Sequence, residues 1–172
     1  MDIGLLIIRL VLGLVIAGHG AQKLFGWFGG YGLRGIGGGL ASRGFYPPAF
    51  WAFAGGVSEF GGGLLFAAGL LSPLGAIGIA AAMLTAVSVF HWPKFWNEGG
   101  GFEYPLVNLA TAIGVGIAGP GAYSLDAAFG TSLPRTASLI IAALVALGYL
   151  TGMVMSARNA PSGDKASGNA AA

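Results

Sequence analysis

Long apolar runs most constrain how this chain of 172 residues can fold. Five runs approach or reach the roughly 20 largely apolar residues that a bilayer-spanning helix needs. They cover 3–21, 49–71, 74–90, 104–118 and 137–155. Soluble domains carry about 25% charged residues, whereas this chain carries 8% and has a mean hydropathy of +0.78. Because a membrane β-barrel would show short alternating strands, the sequence predicts an all-α, polytopic helical membrane bundle.

Residues 1–156 are predicted to form a single integral membrane domain containing all five spans. The first run is predicted to stay in the protein, because no basic segment precedes it as in a signal peptide. The Gly-rich stretch 22–48 is predicted to be a connection between helices. Residues 123–126 are predicted to start a short interfacial helix, and 157–172, rich in Ala, Ser and Gly, a disordered tail.

Basic residues in the short loops predict the orientation of the bundle. With five crossings, one side carries six Lys and Arg residues and the other carries only Arg135. The first loop and the C-terminus are therefore predicted to be cytoplasmic, and the N-terminus to be outside. Without a crossing at 137–155 the count becomes four against three and predicts no orientation. The six residues are Lys23, Arg34, Arg43, Lys94, Arg158 and Lys165.

Two charged residues, Arg9 and Glu59, lie inside predicted spans. Because a charge in lipid costs about 2.5–3.5 kcal/mol on insertion scales, each should face protein and find a partner. At about 1.5 Å per residue they lie roughly 19 Å and 15 Å from the same membrane face. We predict a direct Arg9–Glu59 pair, either as a structural bridge or as the floor of a proton or ligand site. Small residues share the two helix faces: Gly13, Ala17 and Gly20 on the first, Gly55 and Gly63 on the second.

Further polar residues cluster where the first and third spans end and the fourth begins. These ends meet at one membrane face, so their side chains are predicted to line a cavity. The catalytic candidates are Arg9, Glu59, His91 and Glu103, and the substrate-binding candidates are His19, Gln22, Lys23, Tyr104 and Asn108. His19, His91 and Glu103 are also candidate metal ligands, although no closely spaced motif supports a metal. The alternative is that each histidine is a hydrogen-bonded interfacial residue.

Several function classes are excluded or disfavoured. The absence of Cys excludes thiol and disulfide chemistry, and no basic patch indicates a nucleic-acid partner. The G-x-G-x-x-G match at 30–35 follows a predicted membrane helix rather than a strand, so it does not predict a dinucleotide site. The aromatic residues beside Lys23 and Lys94 are typical of a membrane interface; a flat amphiphile such as quinone is the alternative partner for them.

Several sequence blocks follow one another in a specific order: Arg9, 19–30 (HGAQKLFGWFGG), 59–63 (EFGGG), His91, 100–105 (GGFEYP) and 119–126 (GPGAYSLD). In these blocks the sequence resembles the DoxX family of small bacterial membrane proteins over about residues 4–129. The resemblance implies a four-helix membrane core in the bacterial inner membrane, and 137–155 is then a fifth, C-terminal transmembrane helix added beyond that core.

The family resemblance implies a redox role. One branch is similar to the membrane subunit of a thiosulfate:quinone oxidoreductase, and another belongs with a superoxide dismutase and a sulfurtransferase in oxidative-stress defence. We therefore expect a membrane subunit of a quinone-linked or oxidative-stress oxidoreductase complex, with a quinone favoured over a metal as cofactor. The expected partners are the bilayer, soluble redox proteins or a second copy of the chain. The alternatives are a small-solute transporter or permeability protein, and a scaffold that recruits soluble redox enzymes.

Overall fold

The computed structural model describes residues 2–159, and within them the chain is helical with no strand. The predicted all-α membrane class is confirmed. Residues 157–159 of the predicted tail belong to the last helix, and 160–172 lie outside the described residues. The helices are α1 (Asp2–Phe25), α2 (Gly32–Ala41), α3 (Pro48–Ala68), α4 (Leu74–His91, with a π-helical end at Ala86–His91), α5 (Glu103–Ala118), α6 (Leu125–Phe129) and α7 (Arg135–Asn159).

Three of these helices, α1, α4 and α7, are long and apolar enough to cross a membrane. They correspond to the first, third and fifth predicted runs. Helix α3 has 21 residues but contains Glu59 and many glycines, and α5 has 16 residues. Length and composition thus support a membrane protein most directly at α1, α4 and α7.

Helix α2 corrects the prediction that 22–48 is only a connection. Five of its ten residues are glycine, which lowers helix propensity and hides the helix from sequence analysis. Tertiary packing compensates for this, because Leu40 is buried with Phe45 and Ala52 in a small apolar cluster. Residues Ile36 and Trp51 pack against that cluster. Helix α2 therefore becomes part of the wall around the site described below.

Helices α1 and α3 pack with their backbones in close approach. A Cβ atom added at Gly63 would lie 2.5 Å from the carbonyl oxygen of Gly13, and one added at Gly20 would collide with the backbone of Phe60. Small residues at such positions let helices approach within lipid. The predicted small-residue faces are correct at these glycines, whereas Gly55 lies beside open space.

The centre of the bundle is formed by α1, α3, α4 and α5. Ile16 of α1 and Ile79 of α4 are fully buried there, together with Phe66 and Ala112. This arrangement is the four-helix core that the family resemblance implies. Helix α7 packs on the outside of α4.

Helix α7 extends along the length of the bundle. Its start follows α6, which is bonded to the α3–α4 turn through Asp126. Near its end, Ser156 Oγ donates to the carbonyl of Arg43 at 2.6 Å, in the α2–α3 loop. The predicted short helix after Tyr123 is present as α6, capped by Ser124, whose Oγ accepts from Ala127 N–H.

Candidate functional site

A cavity of about 740 Å³ lies between the core helices, α2 and α7. This volume is within the range of small-molecule sites, which are mostly apolar with a few placed polar groups. The apolar part of the wall includes Leu40, Phe45, Trp51, Phe90 and Met153. The polar part consists of His19, Lys23, Ser58, Glu59, Thr85, His91, Tyr104 and Tyr149.

An ion pair between Lys23 and Glu59 forms part of this wall. Lys23 Nζ donates to Glu59 Oε1 at 2.5 Å; the glutamate side chain is 3% exposed and the lysine side chain 29%. The second oxygen, Glu59 Oε2, is buried and has no hydrogen-bond partner among residues 2–159. A buried acceptor without a donor is costly, and the residue that carries it, Glu59, is one of the residues lining the cavity.

The predicted Arg9–Glu59 pair is wrong. Arg9 is buried at the other end of the bundle, where Nη1 donates to the carbonyl of Pro120 at 2.5 Å and Nη2 donates to that of Tyr123. The register of the helices explains the error. Gly20 lies against Phe60 and Gly13 against Gly63 and Ala67, so Arg9 is level with Gly69, more than two turns from Glu59.

Asp126 completes the polar cluster around Arg9, and sequence analysis missed it. Its carboxylate accepts hydrogen bonds from Leu71 N–H at 2.9 Å, Ser72 N–H at 2.8 Å and the Thr131 hydroxyl at 2.8 Å. Burial alone would raise the pKa of Asp126, but these hydrogen bonds and the nearby charge of Arg9 together hold that pKa below its ordinary value. The cluster ties α1 and α6 to the α3–α4 turn, away from the cavity.

Two histidines and a tyrosine line the cavity near the Lys23–Glu59 pair. The ring centroids of His19 and Tyr104 are 6.2 Å apart. His91 Nδ1 lies 2.8 Å from the carbonyl oxygen of Gly100. Because a carbonyl only accepts, Nδ1 is the donor, and Nε2 is the ring nitrogen left for a ligand or a proton.

The remaining candidates do not line this cavity. Glu103 Oε2 accepts from the backbone N–H of Asn97 at 3.1 Å and braces the α4–α5 loop. Gln22 Nε2 donates to the carbonyl of Phe28 at 3.3 Å. Asn108 is buried in α5, and its Nδ2 has no partner within the described range. Sequence analysis thus predicted five of the polar groups that line the cavity, whereas its candidate Glu103 lies outside the wall although the next residue, Tyr104, is part of it. The five are His19, Lys23, Glu59, His91 and Tyr104.

The metal hypothesis gains no geometric support. Among residues 2–159, no group of three or more His, Asp or Glu side chains lies close enough to hold a metal ion. His19, His91 and Glu103 are therefore not assembled as a metal centre in this part of the chain.

Comparison with known proteins identifies the family. The family model for DoxX matches residues 4–92, slightly more than half of the chain. This chain belongs to the DoxX family. No curated protein and no solved structure matches it. The DoxX match covers α1 to α4 and includes Lys23, Glu59 and His91, whereas Tyr104 and α7 lie beyond it.

Several residues of the wall were not predicted from the sequence. The π-helical end of α4 places Ala86 and Phe90 on the cavity, and no sequence signal marks a π-helix. Helix α7 supplies Tyr149, whose hydroxyl donates to Ser88 Oγ at 3.2 Å. Ile36 and Leu40 of α2 are four residues apart, as on one face of a helix. This spacing is a sequence signal from which α2 could have been predicted.

Proposed function

We propose that this DoxX protein is the membrane-embedded, quinone-binding subunit of an oxidoreductase complex in the bacterial inner membrane. The observation that carries the proposal is the cavity of about 740 Å³, which combines apolar walls with the Lys23–Glu59 ion pair. Flat amphiphiles with a polar ring and an apolar tail match both parts. The family's link to quinone-dependent oxidoreductases supports the same ligand class.

The residues of the cavity fit such a ligand in separate roles. The Lys23 ammonium can donate to a ring carbonyl, and the Glu59 carboxylate can accept from a ring hydroxyl. Phe45 and Trp51 offer aromatic surface, with their ring centroids 5.6 Å apart in an edge-to-face arrangement. A bound quinone would supply the two-electron redox chemistry. The chain itself orients the ring and can hold a proton at Glu59 or at His91 Nε2.

A partner protein completes the proposed complex. A chain without Cys has no thiol through which to pass electrons, so we assign the electron donor to a soluble protein. The end of the bundle that carries Lys23, Arg34, Arg43 and Lys94 is the proposed cytoplasmic face. A soluble redox protein would approach the cavity from that face.

Fluorescence titration tests quinone binding. Decylubiquinone added to the protein in lipid nanodiscs should quench tryptophan emission to saturation, because Trp51 lies in the wall. Gly148 also lines the cavity, and a Cβ there meets no atom of residues 2–159 within 4 Å. Gly148→Leu should therefore fill the cavity and weaken binding by roughly tenfold or more, since overfilling costs about 1–3 kcal/mol.

A matched variant separates the cavity from the lipid. Gly114 of α5 is exposed, and a Cβ there also meets no described atom within 4 Å. Gly114→Leu should bind decylubiquinone as the wild type does, and Trp51→Phe should lose most of the quenching. Quenching that never saturates, or that is equal in Gly148→Leu and Gly114→Leu, would show partition into lipid and contradict the proposal.

A further inference from the structure

Arg43 lies outside the cavity wall but contacts the segment that carries part of it. Its guanidinium Nη1 donates to the carbonyl of Gly39 at 2.8 Å, at the end of α2. Its Nε donates to the carbonyl of Val89 at 3.2 Å. The guanidinium carbon also lies 4.7 Å from the ring centroid of Phe90, in a cation–π contact.

These contacts stabilise the π-helical end of α4. Carbonyl groups in the last turn of a helix lack partners within the helix, and Arg43 provides one for Val89. A π-helical turn is uncommon and occurs frequently at functional sites. In this turn Ala86, Phe90 and His91 line the cavity, so the group that fixes the turn also fixes their positions.

The backbone around Arg43 also anchors α7. The Arg43 carbonyl accepts from Ser156 Oγ at 2.6 Å, and the Gly44 carbonyl accepts from Asn159 Nδ2 at 3.2 Å. Within the described chain only Ser138 and Gly152 of α7 are buried. With so little buried surface, α7 depends on such local contacts to stay against the cavity.

We infer that Arg43 is a positioning residue that fixes the wall of the cavity by joining the π-helical turn of α4 to the end of α7. Its side chain fixes the turn that carries Phe90 and His91, and its carbonyl fixes the helix that carries Gly148 and Met153. The inference rests on the proposed function in taking this cavity as the ligand site. Loss of the Arg43 side chain should therefore loosen this part of the wall.

Thiol labelling tests this inference without a ligand. The chain has no Cys, so Ala86→Cys places a single reporter on the cavity wall. Arg43→Gln should raise its rate of reaction with N-ethylmaleimide by roughly tenfold, because lost charge-assisted hydrogen bonds favour local opening. Arg43→Lys should restore part of the protection, since an ammonium keeps the charge but not the planar, multi-donor geometry.

The control is Arg34→Gln, at an exposed arginine of α2, which should leave the labelling rate unchanged. Thermal unfolding of each variant separates opening from general loss of stability, because labelling is measured well below the unfolding midpoint.

If Arg43→Gln does not fold, Ser156→Ala takes its place and should also speed labelling. Equal rates in the wild type and the folded variant would overturn the inference. Failure of decylubiquinone to bind would overturn the proposed function instead.

Discussion

Two buried charged residues, Glu59 and Arg9, lie at opposite ends of the bundle. Glu59 pairs with Lys23 at the cavity, and Arg9 is held by two backbone carbonyls beside Asp126. The sequence predicted that Arg9 and Glu59 are buried, because a charge within an apolar run must face protein. It could not predict their partners, since Pro120 and Tyr123 contribute backbone oxygens more than a hundred residues away and no side-chain pattern marks a backbone acceptor.

A double-mutant cycle should detect the Lys23–Glu59 pair. Lys23→Met leaves a buried carboxylate unpaired and should lower the free energy of unfolding by about 2–4 kcal/mol. Glu59→Gln should cost about 1–2 kcal/mol, because the partly exposed lysine can turn towards solvent. The double variant should be more stable than Lys23→Met alone, as measured by reversible unfolding in mixed micelles.

The control is the same cycle between Arg9 and Glu59, with Arg9→Met. Because these residues are more than two turns apart, their effects should add to within about 0.5 kcal/mol. Coupling between Arg9 and Glu59 together with additivity between Lys23 and Glu59 would contradict the ion pairs described above.

At the scale of helices, apolar length could be predicted and glycine-rich packing could not. The runs that became α1, α4 and α7 were predicted to within a few residues at most ends, since hydropathy alone determines them. Helix α2 was missed because glycine lowers its propensity, and only burial of Leu40 against Phe45 reveals why it forms. The cavity wall was therefore predicted on its α1, α3, α4 and α5 sides, through residues such as His91 and Tyr104, and missed on its α2 and α7 sides.

Paired glycine substitutions should measure the close contact between α1 and α3. Gly63→Ala would place a Cβ 2.5 Å from the Gly13 carbonyl oxygen, so it should destabilise the protein by about 1–3 kcal/mol. Gly61 lies on the same helix, and a Cβ there meets no described atom within 4 Å. Gly61→Ala should stabilise the protein by up to about 1 kcal/mol through helix propensity. Equal effects in thermal unfolding would contradict the close approach.

On the scale of the whole molecule, the fold places three segments at one end of the bundle. The C-terminal end of α1, the α2–α3 loop and the end of α7 meet there, because Ser156 and Asn159 donate to the loop carbonyls of Arg43 and Gly44. The turn between α3 and α4 lies at the other end with α6, bound through Asp126. Helix α7 joins these two ends alongside α4, as a helix that crosses the membrane would.

Cysteine scanning should establish the crossing of α7 and the orientation together. We expect the end that carries the α2–α3 loop to face the cytoplasm, because most of the Lys and Arg residues near helix ends lie on that side of the described chain and Arg135 lies on the other. Single cysteines can be placed at exposed Ser42, Ala157 and Ser132 in a chain that has none of its own. An impermeant maleimide applied to intact spheroplasts should label Ser132→Cys alone, and Ser42→Cys and Ala157→Cys only after permeabilisation.

Labelling of Ala157→Cys and not Ser42→Cys in intact spheroplasts would mean that α7 does not cross. Labelling of both, with Ser132→Cys protected, would keep the crossing but reverse the orientation, and the proposed cytoplasmic partner could not reach the face that bears Lys23.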